Sequence, residues 1–89
     1  MPYIQQSSRL IVDPLIEKLE PFCAWSDPGM LNYIITKLLL QAGAKRYAQH
    51  SALRGMLADV SSEYYRRVMV PYEDYKMAEN GDAYTGYGS

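Results

Sequence analysis

The chain has 89 residues, a net charge of −1 and a hydrophobic fraction of 48 %. That length gives one domain that buries only roughly 60 % of the surface its unfolded form exposes, so a partner subunit would help to stabilise it. The composition excludes disorder as the default state, and the near-neutral charge excludes the broad basic field of a nonspecific duplex binder.

The first residues, MPYIQQSSR, read as a short extended arm, residues 1–8. The first helix signal is Asp13-Pro14, an N-cap followed by proline at the first helical position. Leu15, Ile16, Leu19 and Phe22 follow at helical spacing. Ser8 offers an earlier start that would place Pro14 inside the first turns, and Pro21 lies at or beyond the end. The segment PFCAW then holds the single cysteine, Cys23, which reads as a small buried hydrophobe. One thiol forms no intramolecular disulfide, so nothing argues for an oxidising compartment.

Asp27-Pro28 repeats the cap signal. Leu31, Ile34, Ile35, Leu38, Leu39 and Ala42 form the apolar stripe of a second helix, with Gly43 placed to cap its C-terminus. A third helix begins between Ala44 and Ser51. Its stripe runs through Ala48, Ala52, Leu53, Met56, Leu57, Val60, Tyr64 and Val68. Pro71 either kinks this helix or opens a fourth, which Asn80-Gly81 stops. The tail, residues 83–89, is expected to be flexible. No alternating strand pattern occurs. The expected fold class is all-α, a compact bundle of three to four helices in one domain.

No catalytic signature is present, whether GxSxG, HExxH, a phosphate-binding loop or GxGxxG. The only histidine, His50, has no cysteine nearby and reads as a surface residue at a helix start, so no metal site and no cofactor are expected. Glu73 and Asp74 are adjacent, about 100° apart on a helix, and do not form a matched acid/base pair. An enzyme is not expected. No apolar run reaches the length of a membrane span, so the expected setting is the cytoplasm, without membrane association.

Polar residues at helical spacing stand out instead. Asn32 and Thr36 share one face of the second helix, and Tyr33 and Lys37 share another. The run EYYRRVMVPYEDYKMAENGDAY, residues 63–84, holds five of the nine tyrosines. Within it Tyr65, Tyr72 and Lys76 would line up if the helix continues past Pro71, as would Arg66 and Glu73. Glu63 with Arg66 or Arg67, and Glu73 with Lys76, are ordinary spacings of a solvated helix face. Tyrosine in such numbers suits surfaces that are apolar on one side and wet on the other, and neighbouring arginines add forks for phosphate or carboxylate.

The blocks MPYI, LNYIITKLLL and YYRRVMVPYEDYKMAENGDAY resemble a family of small uncharacterised proteins encoded by bacteriophages, prophages and bacteria. The likeness covers nearly the whole chain, less distinctly between Gly43 and Val60. It implies a compact helical protein and no transferable activity. Its pattern falls on polar residues: Asn32, Tyr33 and Thr36, then Tyr65, Arg66, Arg67, Tyr72, Glu73 and Lys76, and finally Asn80, Asp82 and Tyr84.

Three functions follow as expectations. The first is a homo-oligomer that sequesters a small anionic, nucleotide-like immune signal in the host cytoplasm. In it Tyr33, Tyr65 or Tyr72 would stack a base and Lys37, Arg66, Arg67 and Lys76 would hold phosphates, with Asn32, Thr36 and Glu73 completing the site. Phage-encoded sponges of this kind are similar in size and helicity, not in a shared motif. The second is a protein-interaction module or an inhibitor of a host protein, in which the same Tyr and Arg residues act as hot spots. Nucleic-acid binding ranks third, because Glu63, Glu73, Asp74, Glu79 and Asp82 dilute the stripe of Lys45, Arg46, Arg54, Arg66 and Arg67.

Overall fold

The computed structural model describes residues 4–84. The fold is all-α, as expected, and no strand occurs among the described residues. The helices are α1 (Gln6–Glu17), α2 (Pro28–Leu40), α3 (Tyr47–Tyr64) and α4 (Val70–Asn80). A 3-10 turn, Glu20–Phe22, follows α1, and a π-helical turn, Tyr65–Met69, joins α3 to α4. Two units can be distinguished, one ending at His50 and one beginning at Ser51.

In the first unit, α1 starts at Gln6, so the last three residues of the expected arm, 6–8, are helical; residues 1–3 lie outside the described part. Asp13-Pro14 does not cap it. Pro14 sits inside the helix, where its missing N–H deprives the Leu10 carbonyl of an i+4 donor. No side chain caps Gln6, and the first turn has no acidic residue. The start therefore left no cap signal to read, and Asp13-Pro14 supplied a false one. Pro21 lies within the 3-10 turn, together with Phe22. Cys23 and Trp25 follow on the connector to α2. Cys23 is exposed, against the expectation of burial, because PFCAW lies on this connector and not on a packed helical face. Trp25 is 92 % exposed.

The Asp27-Pro28 signal does open α2. The Asp27 carboxylate accepts a hydrogen bond from the Met30 N–H at 3.1 Å, and Pro28 occupies the first turn, where its lost donor has no helical partner anyway. The helix ends at Leu40, with Gln41 as its C-cap. Gly43 adopts a positive φ of 81°, one residue further out than a capping glycine usually sits. Ahead of α3, the Gln49 side chain accepts from the N–H groups of Arg46 and Lys45, at 3.1 and 2.8 Å. This is the returning half of a capping box, with Gln49 in the first turn. His50 is exposed in the same turn.

In the second unit the helix passes Pro71 without breaking. The π turn is the means. The Val70 N–H donates to the Tyr65 carbonyl, five residues back instead of four. Pro71 has no N–H for the Arg67 carbonyl, and its ring would press on that carbonyl in a regular α-helix. A wider turn just ahead of the proline relieves both problems. The helix then stops at Asn80, and Gly81 takes a positive φ of 81°. That is the expected Asn80-Gly81 stop. The expected flexible tail lies outside the described residues beyond Tyr84.

None of the described residues is fully buried. The apolar stripes expected to form a core stand largely exposed on their helices. Leu15 and Ile16 are each 57 % exposed and Leu38 is 55 % exposed. Half-buried positions are few: Leu19, Leu31, Ile34, Leu39 and Ala44 in the first unit, and Leu53, Leu57, Glu63 and Val70 in the second.

Two substitutions should move stability in opposite directions. Asp27→Ala removes the cap of α2 and should cost about 1 kcal/mol. Gly55→Ala should stabilise by roughly 0.5–1 kcal/mol, since Gly55 lies inside α3 and an added Cβ meets open space. Thermal unfolding followed by circular dichroism reads both.

Candidate functional site

The ten candidate residues fall on both units, four on α2 and six from Tyr65 to Lys76. Each group has its own geometry.

On α2 the i, i+4 spacing does what it predicts. The Thr36 hydroxyl donates to the Asn32 amide oxygen at 3.3 Å. The Lys37 ammonium stands 5.8 Å from the centre of the Tyr33 ring, within cation–π range. Asn32, Tyr33, Thr36 and Lys37 are all exposed. The result is a polar, aromatic helix face, with the Lys37 charge held at a ring.

On the second unit the spacing succeeds locally and fails across the π turn. Lys76 stands 5.8 Å from the Tyr72 ring, as the four-residue separation predicts. It is also 5.9 Å from the Tyr75 ring. Its carboxylate partner is Glu79, at 3.4 Å, and not Glu73. The Tyr75 hydroxyl donates to the other oxygen of Glu79, at 3.2 Å. Tyr75 and Glu79 thus belong to the cluster, though sequence reasoning left them out of the site. Their signals were present at i+3 from Tyr72 and from Lys76.

The expected alignment of Tyr65 with Tyr72 and Lys76, and of Arg66 with Glu73, does not hold. One extra residue in the π turn rotates everything after it back by about 100°. Tyr65 and Tyr72, seven residues apart, therefore point away from each other. The same rotation has a second effect. Val68, Tyr72 and Tyr75 come onto the face that carries Leu53, Met56, Val60 and Tyr64, within about 60° of one line. In an unbroken α-helix they would drift to its flank.

Glu63 organises the arginines. Its two oxygens accept from Arg66 and from Arg67, the latter at 2.6 Å from Nε. Glu63 is half-buried, with a side-chain exposure of 30 %, whereas both arginines are well exposed. The hydrogen bond from Arg67 is the main cause that holds the Glu63 carboxyl below its ordinary value; partial desolvation opposes it, and the Arg66 and Arg67 charges add to it. The charge of both guanidinium groups is partly offset before any ligand arrives.

Among the described residues no group of three or more His, Cys, Asp or Glu is placed to hold a metal ion. None of the described helices is long and apolar enough to cross a membrane.

The family of domains of unknown function DUF6899 matches residues 1–83. The chain belongs to this family. No curated protein and no solved structure matches it. For a DUF6899 member, then, the features that bear on function are the Tyr–Lys clusters, the Glu63-held arginines and the exposed apolar faces described above.

The Glu63 carboxyl titrates below the ordinary carboxylate range in the folded helix. Its contribution to helix stability is therefore complete above the ordinary value and is lost as pH falls through the lowered one. Carbon-detected NMR should show the Glu63 carboxyl titrating below the ordinary glutamate value. Arg67→Gln should raise it toward that value, and an unchanged midpoint would refute the pairing.

Proposed function

We propose that this protein is a non-enzymatic association module whose exposed helical faces are completed by other protein chains. One observation carries the reading: no described side chain is fully buried, while large apolar residues stand exposed on every helix. Surfaces of this kind mark protein interaction sites, and Tyr and Arg are the residue types that dominate interface energetics. The absence of catalytic signatures in the sequence supports a binding role over a catalytic one, in the cytoplasm of a bacterial host.

A second reading, sequestration of a nucleotide-like signal by a phage-encoded oligomer, draws support from the Tyr33–Lys37 pair and the Tyr72–Lys76–Tyr75 cluster. Each offers a ring face beside a cation. The Glu63 carboxylate weighs against it, because it already occupies part of the donor capacity of Arg66 and Arg67. The same carboxylate, with Glu73 and Asp74, weighs against nucleic acid.

Sedimentation in buffer and in host-cell extract tests the first reading. The protein should migrate above its 10.2 kDa chain mass in at least one of the two. Migration as a single chain in both would overturn it. A thermal-shift panel of cyclic dinucleotides, cyclic trinucleotides, NAD-derived signals and mononucleotides should be flat. A selective rise, which corresponds to about 2.7 kcal/mol at a hundred times Kd, would favour sequestration.

A further inference from the structure

Two prolines of this chain lie inside helical runs, and they are accommodated differently. α1 passes Pro14 as an unbroken α-helix. The run that meets Pro71 widens into the π turn Tyr65–Met69 just ahead of it. An internal proline therefore does not by itself compel a π turn here. Each solution has its own cost. The α path presses the proline ring on the carbonyl four residues back. The π path spares that contact, but it sends the Val70 N–H to Tyr65. The Arg66 carbonyl then loses the donor that an α-helix would give it, and Pro71 has none to offer. Steric relief is thus set against one backbone hydrogen bond, whose net worth is modest, and the two paths lie close in free energy. Single π turns inside α-helices occur frequently at functional sites.

The two paths differ in what they bring together. In the π register Tyr65 points away from Tyr72. In the α register one residue of phase, about 100°, is restored, and Tyr65, Tyr72 and Lys76 fall within about 20° of one line. α4 can make that turn as a piece. The contacts of Lys76 with the Tyr72 and Tyr75 rings and with Glu79, and that of Tyr75 with Glu79, all lie within α4. Every residue from Pro71 to Asn80 is exposed, so the rotation breaks no buried packing. Upstream, Glu63 holds Arg66 and Arg67 at spacings that an α-helix also allows.

We propose that the π turn is a register switch. Closing it into an α-turn, the way α1 passes Pro14, swings α4 by about 100° and sets its Tyr–Lys cluster in line with Tyr65. A partner that grips Tyr65, Tyr72 and Lys76 together draws the chain into the α register, and one that prefers the observed face holds it in the π register. The switch operates within one chain and stands apart from the association reading above.

NMR of the isotope-labelled full-length protein tests it. Couplings across hydrogen bonds identify the acceptor of the Val70 N–H. In the wild-type protein the Val70 nitrogen should couple to the Tyr65 carbonyl carbon. Relaxation dispersion should show exchange with a minor state of roughly 1–10 %, running from the π turn through α4. Pro71→Ala restores an N–H and removes the ring, so the Val70 coupling should move to the Arg66 carbonyl. A wild-type protein with no exchange from the π turn through α4 would overturn the switch. A Val70 coupling that stays with Tyr65 in Pro71→Ala would overturn it as well, because residues other than the proline would then fix the register.

Discussion

Proline 71 has no amide hydrogen to give, and the second half of the protein is arranged around that lack. A helix that meets a proline must end, kink or widen. Here it widens, and the Val70 N–H reaches back five residues to the Tyr65 carbonyl. The rotation that results decides which side chains share a face from there to Asn80. It separates Tyr65 from Tyr72, and it gathers Val68, Tyr72 and Tyr75 with the apolar line of α3. The π turn also carries Arg66 and Arg67, which Glu63 holds from one turn upstream.

Charge is managed in local groups within each unit. Glu63 answers two arginines, Glu79 answers Lys76 and Tyr75 together, and Lys37 lies against a ring. Exposed pairs of this kind contribute little stability each. Their effect is to fix where cations and phenols stand on helices that have no buried core to fix them. In each unit the large apolar residues stand exposed, while the charges of Arg66, Arg67 and Lys76 are partly answered by carboxylates.

Much of the fold was legible in the sequence, and the limits have physical causes. The start of α2 was readable because Asp27 and Pro28 perform the chemistry their pattern implies. The same dipeptide at Asp13-Pro14 misled, since a proline tolerated inside a helix carries the same letters as one that opens it. The i, i+4 pairs Asn32–Thr36, Tyr33–Lys37 and Tyr72–Lys76 formed because they depend on one turn of regular helix. The seven-residue alignments failed because they span the one place where the turn is not regular. Apolar periodicity found the stripes but implied burial for them, and for Cys23. Periodicity reports which residues share a face. It does not report whether the same chain supplies the surface that covers it.

The π turn can also be described as an insertion. The apolar residues on its two sides are in phase with each other as they would be in an uninterrupted α-helix one residue shorter. The helix therefore behaves as two matched halves with a single surplus residue between Tyr65 and Val70, taken up as a bulge. Removing one residue there, together with replacing Pro71 by a helix former, is a length change that leaves the surface pattern where it was. Removing one residue anywhere else in the run would turn half of that pattern away from the other half.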